Sequence, residues 1–169
     1  VVVTFTNRAA NEMRARLESM IGADRTRRLV LGTFHAVCVR FLRRWGARCL
    51  GLDPRFTIAD TDDARRLLRD VDRDADAALS AISRAKAHGW TPDELRASGT
   101  HAPGSPGHAE HLALCRTYAA YQQQLRASHA LDFDDLLLLG VRLFREHPEL
   151  TAHIDHVLVD EFQDTNAVQ

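Results

Sequence analysis

Apolar and polar positions alternate in two different textures along this chain. Val1 to Phe5 is a short apolar run that predicts a buried strand. Thr6 or Asn7 can cap the helix behind it, where Ala9, Ala10, Met13 and Leu17 recur at helical spacing, and Gly22 supplies a stop. Leu29-Val30-Leu31 predicts a second strand, leading through Gly32-Thr33 into a helix with Val37, Phe41, Leu42 and Trp45 on its buried stripe. Strand–helix–strand–helix is the pattern of a parallel α/β sheet. After Phe56-Thr57-Ile58 the chain reads as almost wholly helical for about seventy residues. Thr61 caps one helix (Ala64, Leu67, Leu68, Val71), and Asp74 opens another (Leu79, Ile82) that ends at Gly89. Thr91-Pro92-Asp93-Glu94 is a capping box with Pro in the first turn. Residues 99–107, with three Gly and two Pro, predict a loop, and a long helix from Pro106 carries Leu114, Tyr118, Tyr121 and Leu125. This block has the form of a helical subdomain inserted into an α/β domain.

The α/β texture returns at Leu131. Asp132 caps a helix with Phe133, Leu136, Leu137, Val141 and Phe144 on its inner face, and His147-Pro148 ends it. Then Val157-Leu158-Val159 predicts a strand buried on both faces, and it stops abruptly at Asp160-Glu161. Ligands of parallel sheets sit at the carboxyl ends of strands. Two adjacent carboxylates there need a compensating cation, and a nucleotide-bound Mg²⁺ is the usual one.

Composition narrows this reading. A hydrophobic content of 45% supports a core, and no run approaches the ~18 apolar residues of a membrane span. Val1–Phe5 is apolar but lacks a basic leader or a cleavage site, so it is not expected to be a signal peptide. The chain begins in mid-strand without an initiator Met, so an interior piece of a longer protein is expected. Cys38, Cys49 and Cys115 are odd in number and lack C-x-x-C spacing, as reduced cysteines of an intracellular protein do. His101, His108 and His111 have no partner cysteines at zinc-ligand spacing. The net charge of −1 hides an asymmetry: residues 1–50 hold ten Arg against three acids, and residues 101–169 hold four Arg against ten acids. A basic start suits nucleic acid and an acidic end suits a metal, although ordinary solvated helix faces would give the same counts.

Three motifs lie at the predicted carboxyl edge. In Thr4-Phe5-Thr6-Asn7-Arg8-Ala9-Ala10 the hydroxyls, the amide and a helix N-terminus can hold a phosphate, and an aromatic ring can stack on a base. Equally, Phe5 can be core while Thr6 and Asn7 only cap. In Gly32-Thr33-Phe34-His35, Thr33 can cap and still offer its hydroxyl, and His35 can donate to a phosphate without a charge. In Asp160-Glu161-Phe162-Gln163-Asp164, one carboxylate on Mg²⁺ and a neighbour orienting water is the minimum for hydrolysing a nucleoside triphosphate.

In order, spacing and context these motifs resemble those of the UvrD/Rep-type superfamily 1 DNA helicases. Thr4–Ala10 is similar to motif Ia, Gly32–His35 with Val37-Cys38-Val39-Arg40 to motif Ib, and Val159–Asn166 to motif II. Leu131–Leu137 is similar to the segment where the chain re-enters the ATPase domain, and the resemblance covers essentially the whole chain. It implies a partial RecA-like P-loop NTPase sheet (1–59 and 131–169, subdomain 1A) with an all-helical insertion (60–130, subdomain 1B). It further implies ATP and Mg²⁺ as cofactors. Asp160 would be the metal ligand, Glu161 the general base, and Gln163 a further nucleotide-site residue. Gln163 and Asp164 would couple nucleotide state to movement. Phe5 would pack on a base of single-stranded DNA, Thr33 and His35 would touch its backbone, and Thr6, Asn7, Arg8 and Phe34 complete the implied DNA set. The implied partners are single-stranded DNA and its junctions with duplex, together with repair proteins, in a cytoplasmic, nucleoid-associated setting. The implied activity is 3′ to 5′ translocation and unwinding by two RecA-like motors.

The departures from the pattern are as informative. The phosphate-binding loop G-x-x-x-x-G-K-[ST] occurs nowhere in the sequence and is expected to precede Val1. The single Lys, Lys86, lies in the helical insertion, and the chain stops at Gln169 before the second motor domain. Alone, the fragment is expected neither to hydrolyse ATP nor to unwind DNA. Two other readings stand beside the motor: a non-catalytic single-strand-binding module, and part of a RecB/AddA-like helicase–nuclease subunit.

Overall fold

The computed structural model describes residues 1–99 and 105–169; most of the loop expected over 99–107, and His101, lie outside the described residues. The chain divides into two compact units, one of residues 1–54, 139–167 and 169, the other of residues 55–138 and 168.

The first unit is built on a three-stranded parallel sheet. Strand β1 (Val2–Thr4) lies in the middle, with β2 (Leu31–Thr33) on one side and β5 (Leu158–Val159) on the other. Val3 faces Gly32 across one ladder and Val159 across the other. Helix α1 (Asn7–Ile21) follows β1, and its Ala10, Met13 and Leu17 close over Val2 and Leu31. Gly22, at φ 85°, ends α1 where an L side chain would be strained, and α2 (Ala23–Thr26) follows. The second strand starts two residues later than Leu29. The Leu29 N–H still bonds back to the Thr26 carbonyl in the turn after α2, so the ladder extends instead through Gly32 and Thr33.

Helix α3 (Phe34–Phe41) runs on through a wider π-helical turn (Leu42–Gly46) into α4 (Ala47–Leu50). Its buried side chains are Phe34, Cys38, Phe41 and Leu42, while Val37 and Trp45 of the expected stripe are only half-buried. Phe41 meets Phe144 edge-on at 5.0 Å, and burial pushes the Cys38 thiol up to about 11. A Cβ on Gly140 would stand 2.7 Å from Cys38 Sγ, so only Gly fits at that approach.

Strand β5 corrects the expectation of burial on both faces: Val157 is 58% and Leu158 62% exposed. The strand is two residues long and, among the described residues, pairs only with β1, so it forms a sheet edge.

The second unit pairs β3 (Thr57–Ala59) in parallel with β4 (Ala130–Asp132). Between them, among the described residues, come only helices: α5 (Thr61–Arg69), α6 (Ala75–Ala87), α7 (Pro92–Ala97) and α8 (Pro106–Ala127). Asp60, not Thr61, caps α5. Its carboxylate accepts from both the Asp62 and Asp63 N–H groups, which a hydroxyl does less readily, and Asp63 completes the box. Asp74 and the Thr91–Glu94 box cap α6 and α7 as the sequence predicts.

The core of this unit joins Leu68, Ile82, Leu95, Cys115 and Leu125 with two fully buried tyrosines, Tyr118 and Tyr121. Within it sits Lys86, 1% exposed. Its Nζ lies 2.6 Å from Asp132 Oδ2 and 2.8 Å from Asp135 Oδ1, with the Tyr121 ring centroid at 5.2 Å. The Tyr121 hydroxyl donates to Asp132 and the Gln122 amide to Asp135. Asp132 Oδ1 also accepts from the Asp135 N–H at the start of α9 (Phe133–Glu146). Burial and the neighbouring Asp132 raise the Asp135 pKa, and Lys86 opposes them.

This cluster explains why Phe133 is 49% exposed although the sequence places it on the inner face. Positions two apart on a helix lie on nearly opposite sides, and Asp135 is turned inward to Lys86. Replacing Lys86 by Met leaves two carboxylates buried against each other. Chemical denaturation of the chain should then show a loss of about 3–5 kcal/mol.

Candidate functional site

The parallel ladders deliver three strand ends to one edge of the first unit's sheet. Thr4 and Thr33 are in register, and Asp160 follows directly after β5. Each end turns at once into polar sequence.

At the first end, Thr6 is the N-cap of α1, its hydroxyl accepting from the Ala9 N–H at 3.1 Å. Thr6, Asn7 and Arg8 are exposed. Phe5 is half-buried, its ring edge-on to Phe34 at 5.4 Å and 62°. It therefore packs on a core ring while keeping part of its surface in solvent. At the second end Thr33 caps α3, accepting from the Ala36 N–H at 3.2 Å, which leaves its own O–H to donate. His35 is half-buried in the first turn of α3. Phe34 differs from the expectation of a DNA contact: its ring is buried beneath the surface and supports Phe5.

At the third end the Asp160 N–H bonds the Val3 carbonyl at 2.9 Å, the last ladder bond of the sheet. Its carboxylate Oδ2 accepts from the Thr4 hydroxyl at 3.2 Å. Glu161 then adopts a left-handed backbone, φ 51° and ψ 45°, and is exposed. A non-glycine residue in that region costs on the order of 1–3 kcal/mol, a strain that clusters at functional turns. The turn is held by the Asp164 N–H donating to the Glu161 carbonyl at 2.9 Å and by the Gln163 amide donating to the Glu161 carboxylate. Asp164 closes the single helical turn Phe162–Asp164 and is exposed.

Thr4 is the residue that sequence reasoning passed over. It is 2% exposed, yet its hydroxyl reaches the carboxylate of a residue far along the chain. The signal was present as a hydroxyl ending an otherwise all-valine strand.

The donor set suits a hard cation. One Asp160 oxygen is fixed by Thr4, and Glu161 follows immediately. Mg²⁺ is ordinarily held by one or two carboxylates, with water and substrate phosphates completing its octahedron. Two carboxylates at a strand end fit that role better than they fit an all-protein cage. Among the described residues no cluster of three His, Cys, Asp or Glu side chains forms such a cage.

Polar turns and a carboxylate pair line one strand-end edge of a parallel α/β sheet, the place where ligands of such sheets sit, and sequence comparison specifies the family. The family model for the UvrD/REP helicase N-terminal domain matches residues 1–169, and the chain belongs to that family. It is similar to the ATP-dependent DNA helicase UvrD1 of Mycobacterium tuberculosis, 38% identical over all of this chain and 23% of the relative. The ATP-dependent DNA helicases PcrA of Leuconostoc citreum and of Staphylococcus aureus are 36% and 35% identical, again over the whole chain. The chain thus spans about a quarter of the length of these curated relatives.

Proposed function

We propose that this chain serves as the strand-tracking and metal-holding part of an ATP-dependent DNA helicase that moves 3′ to 5′ on single-stranded DNA and opens duplex junctions. The observation that carries the reading is the alignment of the Thr6–Arg8, Thr33–His35 and Asp160–Glu161 turns on one sheet edge, cross-linked by the Thr4–Asp160 hydrogen bond.

In this reading residues 1–59 and 131–169 form part of the RecA-like motor, subdomain 1A. Residues 60–130 form its inserted helical subdomain 1B. The work takes place in the bacterial cytoplasm, in DNA repair or replication, alongside repair proteins. Asp160 holds Mg²⁺, which when bound neutralises phosphate charge on ATP. The Thr4 hydroxyl holds one oxygen of that carboxylate and so orients the group that would hold the ion. Glu161 accepts the proton of the attacking water, and its left-handed backbone sets it apart from the metal ligand beside it. Gln163 bonds the Glu161 carboxylate, so a change in what Glu161 contacts is felt at once in the Phe162–Asp164 turn. Gln163 and Asp164 thereby report nucleotide state. Phe5, propped on Phe34, offers its ring to a base. Thr33 and His35 hold the adjacent phosphates, with Asn7 and Arg8 flanking them.

In a full-length helicase carrying this chain, Glu161→Gln should lower ATP turnover by about 10²–10⁴-fold while nucleotide binding persists. Near-normal steady-state hydrolysis would remove Glu161 from the role of base. Thr4→Val keeps the shape of the strand and deletes the hydroxyl. The Mg²⁺ concentration for half-maximal hydrolysis, or the rate itself, should suffer by about 10–100-fold, with Thr4→Ser largely restoring it. Phe5→Ala should weaken single-strand binding by about 1–3 kcal/mol in a fluorescence-anisotropy titration. Unchanged affinity in a folded variant would make Phe5 a core residue only.

A further inference from the structure

At the opposite, amino-terminal edge of the same sheet lies a cavity of about 750 Å³ that the helicase reading does not use. Val30, just before β2, marks that edge, and the wall opposite comes from His147–His153, the segment leading towards β5. Arg40, Arg44 and Arg48 project into it from successive turns of the α3–α4 stretch. All three are exposed, and among the described residues none of them makes an ion pair with a carboxylate. The one carboxylate on the lining, Glu149, is engaged elsewhere: His147 Nδ1 lies 3.1 Å from its Oε1. Its own backbone N–H and His147 hold it below the usual carboxylate range, and Arg48 adds to this.

Three like charges one turn apart repel one another, and the single carboxylate Glu149, shared with His147, offsets them only in part, so an incoming anion would be stabilised there. Phe41 and the half-buried Trp45 add apolar lining, and the Trp45 ring already carries the Arg44 guanidinium at 5.2 Å. The cavity is far larger than one phosphate and falls within the ordinary ~300–1,000 Å³ range of small-ligand sites. The π-helical turn widens the backbone where Trp45 and Arg44 sit, and such turns recur at functional sites.

We propose that this cavity binds a phosphate-bearing nucleotide, its phosphates on Arg44 and Arg48 and its base against Trp45, at a site separate from the Asp160 edge. Guanidinium forks match phosphate oxygens two at a time, and an aromatic face takes any base. The nucleotide can be free in solution or belong to a strand.

The whole chain is titrated with GDP without divalent cation, with an oligothymidylate, and with a glutamate-rich peptide, following Trp fluorescence and heat. Omitting the cation keeps the Asp160 edge silent. GDP should bind saturably, and the exposed double reversal Arg44→Glu, Arg48→Glu should weaken it by about tenfold or more, while Phe5→Ala leaves it unchanged. Binding of the oligothymidylate alone, with the same sensitivity to reversal, supports the site and identifies a strand as the source. The proposal is overturned if neither ligand binds saturably, or if reversal leaves affinity unchanged in variants with wild-type circular dichroism. It is equally overturned if only the acidic peptide binds, because the arginines then serve carboxylates.

Discussion

Strand β1 is hydrogen-bonded on both sides, and the first unit depends on that constraint. A parallel ladder allows little slippage, because a one-residue shift would send every side chain to the other face. With Val3 opposite both Gly32 and Val159, the ends of three strands far apart in sequence must finish together. The polar turns that follow are then neighbours without any contact among them being required. The last ladder bond, from Asp160 N–H to Val3, brings the carboxylate beside Thr4, and the hydroxyl of the central strand captures it. Backbone register therefore places the acid, and one side-chain bond orients it.

The second unit is organised by a different interaction. Lys86 on α6 is shared by Asp132 of β4 and Asp135 of α9, so one cation ties α6 to a strand–helix junction distant from it in sequence. Buried ion pairs stabilise little against a well-packed apolar alternative, yet breaking one is expensive. What such a cluster does supply is a unique arrangement. Tyr121, Gln122 and two backbone N–H groups complete it, and among the described residues no buried side-chain polar atom is left without a partner. Its sign in pH follows from Asp135. A carboxyl whose folded pKa is raised contributes most below the unfolded value of about 3.9 and loses that contribution as pH rises through the folded value.

Most of this was legible in the chain because strong local signals and tertiary structure agree. The valine run, the Thr6 and Asp74 caps, the Thr91–Glu94 box and the acid pair after a strand each depend on neighbours within a few residues. The misreadings share a different origin. Leu158 reads as core because periodicity cannot reveal how many neighbours a strand has. Phe133 reads as core because nothing local says that Asp135 faces inward to Lys86. Thr4, too, becomes a site residue only when β5 is laid beside β1. Each of these turns on a partner distant in sequence.

The cationic composition shows the same division between interior and surface. The chain has twenty-one Arg and one Lys, and that Lys is the buried cation. A compact ammonium presents three donors from a single atom, so it can sit between two carboxylates and beside the Tyr118 and Tyr121 rings. A guanidinium spreads its donors over a rigid plane and is larger than the ammonium these groups enclose. Where cations face solvent in a row, as at Arg40, Arg44 and Arg48, that planar fork becomes the advantage. A bias towards Arg that acted on every position alike would have taken Lys86 as well. Its retention marks the place where the size of the cation, and not only its charge, decides whether the unit packs.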